Sequence, residues 1–175
     1  MKTHHLRRCD ILLYRRPDFT SRLLQLGSGN AYSHVAVVIE PHIRLAVGSN
    51  AGHPSGMRAI DLKMIDDTQV EAFRVKPEFG YDGDRMIAFL IAHLEIGYDF
   101  KGIAWLGLLK GVSSLTGFLW KPFNCHQKEK DYFCSELCYA AFMAGGLDLV
   151  PQVNETEIIL PNDIAQSERL EKVAP

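Results

Sequence analysis

Residues 131–146 read DYFCSELCYAAFMAGG, and an aromatic run changes there into a helical pattern. After Cys134, apolar or small side chains recur at helical spacing, at Leu137, Cys138, Ala141 and Phe142. The two glycines at 145–146 predict the end of that helix. The pattern therefore places Cys134 in the first turn of a helix that has one apolar face.

The first turn of a helix is a favourable place for a reactive cysteine. Its backbone N–H groups lack intrahelical partners, and the helix dipole adds roughly half a positive charge there. Both effects favour the thiolate, which is the nucleophilic form. The alternative is a structural thiol, but such a residue more often lies mid-helix on the packed face, as Cys138 does. The choice depends on whether the rest of the chain supplies a base.

The composition is that of an ordinary globular protein. The chain has 175 residues, of which 47% are hydrophobic and 23% are charged, so we expect a single domain spanning 1–175. The formal net charge of −2 and the scattered Lys and Arg residues argue against a nucleic-acid partner. The N-terminal residues contain no apolar run of signal-peptide length. We expect a cytoplasmic protein without a transmembrane segment.

The cysteines favour free thiols in a reducing compartment. There are four, and Cys134 and Cys138 lie one helical turn apart, which is a poor geometry for a disulfide. No cluster of Cys and His at metal-ligand spacing occurs in the sequence. We therefore predict neither a metal nor a cofactor.

The order of elements predicts an α+β fold. The first half reads as a small antiparallel sheet or barrel, with strands at 11–14, 34–39, 43–47, 57–62 and 69–75. Helices are predicted at 19–26 and 84–96, and a capped short helix begins at Pro161. Residues 102–123 are unusually apolar, with two Trp, several Leu and two Phe, but Lys110 and several glycines make them a poor membrane span.

His34 is the best candidate for the base that would serve Cys134. Cysteine acyl transfer needs a thiolate, a base within hydrogen-bond reach and a third polar group that orients the base. His34 opens the β-branched, apolar strand HVAVVI, where a positioned and partly desolvated imidazole is plausible. The alternative is an ordinary histidine at a strand start.

The candidate residues belong to a series of motifs that resembles a known superfamily. In chain order the motifs are DILL from Asp10, YSHV from Tyr32, AVG from Ala46, GYDF from Gly97, FCSEL from Phe133 and PND from Pro161. Their order and spacing resemble the circularly permuted NlpC/P60 superfamily, the YaeF/YiiX-like papain-fold cysteine hydrolases. The resemblance covers about residues 10–167.

This resemblance implies a papain-like α+β fold with its halves exchanged, so that the barrel or sheet comes first and the helix with the nucleophile comes last. It implies Cys134 as nucleophile and His34 as general base and acid, with the Cys134 N–H helping to hold the oxyanion. Such enzymes act on amide or ester acyl groups, among them peptidoglycan-type peptides and lipids. The implied partner is thus a small-molecule, peptide or lipid-like acyl substrate.

One position departs from the pattern. Relatives often carry Glu just before the segment that matches AVG, whereas this chain has Leu45. Glu40 is a poor substitute, because it lies about 20 Å from His34 along the same strand. A tight hairpin after Glu40 would bring Ser49 or Asn50 opposite His34, so these two are the candidates for the orienting group. The alternative for both is ordinary loop chemistry.

Two further alternatives stay open at this point. Asn124-Cys125 matches the first two positions of the NCEHF motif of the lecithin:retinol acyltransferase relatives, which makes Cys125 a competing nucleophile, although no helix follows it. The apolar residues 102–123 either line a substrate cleft, which would favour fatty acyl groups over peptides, or belong to the core or a subunit contact. Because of Leu45, a non-catalytic binding or assembly protein on the same fold is the rival to an enzyme.

Overall fold

A computed structural model describes residues 5–15, 32–43, 45–50, 56–61, 69–94, 134–153 and 159–173. Within these ranges the chain has six strands and three helices. The strands are β1 (Ile11–Tyr14), β2 (His34–Glu40), β3 (Leu45–Asn50), β4 (Gly56–Asp61), β5 (Val70–Val75) and β6 (Leu170–Lys172). The helices are α1 (Gly83–Ala92), α2 (Cys134–Ala144) and α3 (Pro161–Ala165).

The six strands form one sheet in the order β4-β3-β2-β1-β5-β6, and every neighbouring pair is antiparallel. The antiparallel sheet predicted for the first half of the chain is therefore confirmed. β1 and β2 lie at its centre, and all four residues of β1 are buried. A continuous apolar run is what a strand covered on both faces requires.

The two faces of the sheet carry separate apolar clusters. One cluster takes the odd-numbered residues of β1 and β2 together with the apolar sides of α1 and α2. The other takes the even-numbered residues of these strands, including Leu12, Tyr14, Ala36 and Val38. Helix α2 packs against β2, β3 and α1. We call its side of the sheet the helix face and the other side the far face.

Helix α2 agrees with the pattern that predicted it. The predicted apolar face is buried, with Leu137, Cys138, Ala141 and Phe142 each at most 2% exposed. At its end the Gly146 N–H donates to Met143 O and the Leu147 N–H donates to Phe142 O, both at 2.9 Å. Gly146 has φ +87°, a conformation that glycine adopts readily, so the helix ends in a Schellman motif.

Several predicted boundaries are wrong by a few residues. β3 was predicted at 43–47 but spans Leu45–Asn50, because the polar residues at its end pair with β4, down to Asn50↔Gly56. α1 begins at Gly83, where the Asp82 carboxylate accepts from the Asp84 and Arg85 N–H groups at 3.1 and 3.0 Å. β6 was not predicted. The predicted helix 19–26 and the apolar residues 102–123 lie outside the described residues.

None of the helices in the described ranges is long and apolar enough to cross a bilayer.

Candidate active site

Cys134 is the first residue of α2, as predicted, and its side chain is only 6% exposed. The next residue anchors the helix start, since the buried Ser135 hydroxyl donates to Ile159 O at 2.6 Å. Cys9 and Cys138 are likewise free, buried thiols. Cys125, the competing nucleophile, lies outside the described residues.

The surroundings of Cys134 act on its pKa in two directions. Burial raises the pKa of the thiol from 9.0 to about 11, and the negative charge of Glu136 in the same turn adds to the rise. Hydrogen bonds from the backbone N–H groups of Val35, Ser135 and Cys134 itself oppose it. The helix N-terminus thus favours the thiolate as expected, but desolvation outweighs it. The isolated thiol is neutral near pH 7, so a nucleophile at this position needs a base.

The contact with Val35 fixes where the thiol lies. The Val38 N–H donates to Asp10 O at 2.8 Å, so it points toward β1. N–H groups alternate between the two sides of a strand, and the Val35 N–H therefore points toward β3. Pairing of β2 with β3 runs from Glu40↔Leu45 only to Ala36↔Gly48. The thiol consequently sits where these two strands part, beside the peptide group that joins His34 to Val35.

His34 opens β2, as predicted, and is 7% exposed. It is the register partner of Tyr14 on β1, and the two rings lie 5.3 Å apart between centroids at an angle of 59°. On the other side the imidazole lies over β3, where a Cβ added to Gly48 would be 3.1 Å from His34 Nε2. The imidazole is thus held between β1 and β3 on the far face of the sheet.

The structure brings Cys134 and His34 to the same end of β2. The thiol lies on the helix face of the sheet, and the imidazole lies on the far face. The chain is irregular just before this point: the Ser33 N–H donates to Tyr14 O at 2.8 Å, although Tyr14 is the register partner of His34. Direct contact between the thiol and the imidazole stays a prediction.

The backbone register of β2 and β3 also indicates which residue could orient the His34 imidazole. The register Ala36↔Gly48, continued by two residues, places position 50 across from His34 and on the same sheet face. Position 49 falls on the opposite face by alternation. Of the two candidates, Asn50 therefore has the better backbone position. The side chains of Ser49 and Asn50 lie outside the described part of the structure.

Leu45 lies too far from His34 for a residue there to orient the imidazole. It pairs with Glu40, at the opposite end of β2 and about 20 Å from His34 at 3.3 Å per residue. The Glu40 carboxylate accepts from the His42 N–H in the turn at 3.1 Å. A glutamate at position 45 would lie at the same end of the sheet, equally far from His34. The departure at Leu45 therefore carries no information about the competence of His34.

Sequence reasoning missed a polar cluster two residues before His34. The Tyr32 hydroxyl donates to the Glu71 carboxylate, and Arg15 donates to the same carboxylate at 2.9 Å. The Lys172 ammonium lies 3.0 Å from Glu71 as well. Burial and the hydrogen bond to Glu71 raise the pKa of Tyr32. Burial alone would raise the pKa of Glu71, but hydrogen bonds from Tyr32 and Lys172 lower it.

This cluster fixes the segment that leads into β2, since it ties Tyr32 to β5 and β6. The Tyr32 ring also packs edge-on against Phe73 at 6.3 Å. The only sequence signals were the tyrosine of YSHV and an acid within the apolar strand VEAFRV, and neither revealed the partner.

A metal site does not fit the residues that the structure describes. Among them no group of three or more His, Cys, Asp or Glu side chains is placed to hold an ion.

Comparisons with known proteins support the fold. The chain is similar to the crystal structure of the metalloprotein YiiX (DUF1105) from Escherichia coli O157:H7, with a TM-score of 0.68 and 14% sequence identity over 97% of each chain. At that identity the likeness shows a YiiX-like fold and nothing finer. No protein-family model matches the sequence. No curated protein matches it either.

Proposed function

We propose that this protein is a thiol hydrolase or acyltransferase of the permuted NlpC/P60 type, with Cys134 as nucleophile and His34 as general base and acid. The observation that carries the proposal is the position of the Cys134 thiol at a helix start, in contact with the N–H of Val35, the residue that follows His34. The YiiX-like fold and the motif series support it.

The first half-reaction forms a thioester. His34 takes the proton of the Cys134 thiol, and the thiolate attacks the acyl carbonyl carbon, so that a C–S bond forms and the carbonyl electrons move to oxygen. The Cys134 N–H would stabilise that oxyanion. The intermediate collapses, the bond to the leaving amine or alcohol breaks, and His34 returns the proton to the leaving group.

The second half-reaction releases the acyl group. His34 removes a proton from water, or from another nucleophile, which attacks the thioester carbonyl. The C–S bond then breaks, and the Cys134 sulfur leaves as a thiolate that recovers the proton from His34. With water the product is a carboxylic acid, and with another acceptor it is a transferred acyl group. The thiol and imidazole return to their starting protonation states.

The composition of residues 102–123 supports a fatty acyl or lipid-like substrate, with a peptide amide, as in peptidoglycan, as the rival. A connection with two Trp and several Leu is far more apolar than a plain loop. If these residues line the cleft, eight added methylenes in the acyl chain would contribute up to about 6 kcal/mol of binding, at about 0.8 kcal/mol each. Chain length would then strongly affect the rate.

The test is hydrolysis of p-nitrophenyl esters from acetate to decanoate, together with cleavage of a peptidoglycan-type peptide amide. Cys134→Ala should abolish turnover, while Cys138→Ala, one turn further along the packed face, should retain it. A rate that rises with chain length supports a lipid-like acyl substrate. A flat profile alongside amide cleavage would identify a peptidase.

The second candidate is a non-catalytic binding or assembly protein on the same fold. What favours it is the environment of Cys134, whose 6% exposure and raised pKa are also those of a structural thiol. Absence of Cys134-dependent turnover on both substrate panels would place this candidate ahead.

A further inference from the structure

We propose that Gly48 is a positioning residue for His34: the absence of a side chain at Gly48 is what lets the imidazole lie across β3 at the end of β2. This inference rests on the proposed role of His34.

The space beside Gly48 is filled on three sides. A Cβ placed there would lie 3.0 Å from Val35 O, 3.1 Å from His34 Nε2 and 3.2 Å from Ala36 Cβ. All three distances are shorter than ordinary van der Waals contact between such atoms, which is about 3.5–4.0 Å for carbon. A methyl group at this position therefore forces at least one neighbour to move.

The three neighbours differ in how easily they can move. Val35 O and Ala36 Cβ are fixed to the backbone of β2, which is paired on both sides, with β1 and β3, at Ala36. The imidazole of His34 is attached through two rotatable bonds, at the residue where pairing with β3 has stopped. The ring is consequently the group that moves most easily, while relief of the other two contacts needs a small separation of β2 and β3. Tyr14 lies on its β1 side, so the displacement changes the direction of the ring nitrogens as well as their distance from β3.

Burial and pairing alone do not call for a glycine at this position. Glycine is unfavourable in a strand interior because it costs backbone entropy and offers no side chain for packing. Gly48 is nevertheless buried, and it pairs in register with Ala36 on one side and Arg58 on the other. Close approach of other groups explains such a residue, and the groups that approach here are the β2 backbone at Val35, the Ala36 methyl group and the His34 imidazole.

The experiment measures alkylation of Cys134 by iodoacetamide from pH 5 to 10, and kcat and KM for a p-nitrophenyl ester, in five forms of the full chain. These are the wild type, Gly48→Ala, Gly80→Ala, His34→Ala and, as the blank that lacks the reacting thiol, Cys134→Ala. Gly80→Ala is the matched control, because a Cβ there meets nothing within 4 Å. The double variant Ala36→Gly/Gly48→Ala removes the Cβ–Cβ overlap but keeps the His34 contact. It takes the place of Gly48→Ala in both measurements if Gly48→Ala does not fold.

Gly48→Ala should lower kcat and the pH 7 alkylation rate about tenfold with KM unchanged, since small displacements of a catalytic group are costly. Its alkylation profile should shift toward that of His34→Ala, while Gly80→Ala matches the wild type. A Gly48→Ala profile equal to the wild type, with His34→Ala impaired, would overturn this inference alone. A wild type no faster than His34→Ala would instead remove the proposed function.

Discussion

His34→Ala should slow the alkylation of Cys134 at pH 7, and the raised pKa of the buried thiol determines how slow the unassisted reaction is. With a pKa of about 11, the buried thiol alone is thiolate in roughly one molecule in ten thousand at pH 7. An unperturbed thiol, at 9.0, is thiolate in roughly one in a hundred. The more basic thiolate is intrinsically more nucleophilic by roughly eightfold for this pKa difference. An unassisted Cys134 should therefore react about tenfold more slowly than an ordinary cysteine.

The pH profile separates assisted from unassisted reaction. If His34 accepts the proton, the wild-type rate should level off once the imidazole is neutral, at a pH well below 11. In His34→Ala the logarithm of the rate should rise with unit slope to about pH 11. Removing the imidazole does not narrow the approach to the thiol, so a lower rate in His34→Ala would not be a steric effect.

The assay is mass-spectrometric quantification of the peptide that contains Cys134 after brief iodoacetamide treatment. His42→Ala is the matched control, because His42 is an exposed histidine in the β2–β3 turn. Both variants should keep the wild-type melting temperature within a few degrees. Equal rates and equal pH profiles for wild type and His34→Ala would refute the assignment of His34 as the base.

Two predictions concern stability. Asp10→Asn should cost about 3 kcal/mol of unfolding free energy in urea denaturation, because it leaves Arg74 without the carboxylate that it contacts at 2.7 and 2.8 Å. The control Asp84→Asn breaks the exposed pair with Arg8 and should cost under about 1 kcal/mol. Equal losses in the two variants would contradict the argument. Because folding raises the pKa of Cys134, the contribution of this thiol to stability is complete below pH 9 and is lost as the pH rises through about 11. Between pH 8 and 10.5 the unfolding free energy of the wild type should therefore fall by roughly 2 kcal/mol more than that of Cys134→Ala. Parallel declines in the two proteins would rule this out.

The elements that the sequence predicted well are those set by local chemistry. The strand Ile11–Tyr14 has the predicted bounds, because a short apolar run is sufficient to specify a strand that is buried on both faces. The stop of α2 at Gly145-Gly146 is equally local, since it depends on one residue with positive φ. The placement of Cys134 and His34 at the starts of their elements followed from the same kind of signal.

What the sequence did not predict depends on pairing between distant segments. β6 has three residues, LEK, whose pattern is uninformative, and it exists because Leu170–Lys172 pairs with β5. The link between Tyr32 and Glu71 joins positions 39 apart in the chain. The end of the β2–β3 pairing at Ala36↔Gly48 depends on a hairpin whose register shifts between Val38 and Glu40. No local pattern specifies such a shift.

The burial of Cys134 and the position of His34 have to be considered together. A helix N-terminus is often sufficient to activate a cysteine, but here desolvation outweighs it, so the thiol is neutral near pH 7 without a partner. The same desolvation strengthens any charge pair that forms inside the site. A proton transferred to His34 would create a thiolate and an imidazolium at the end of β2, where the N–H groups of Val35 and Ser135 already point at sulfur. Catalysis in this fold would thus depend less on the resting pKa of the thiol than on the position of the imidazole. The residues on either side of that ring, Tyr14 and Gly48, would therefore affect the rate without touching the substrate.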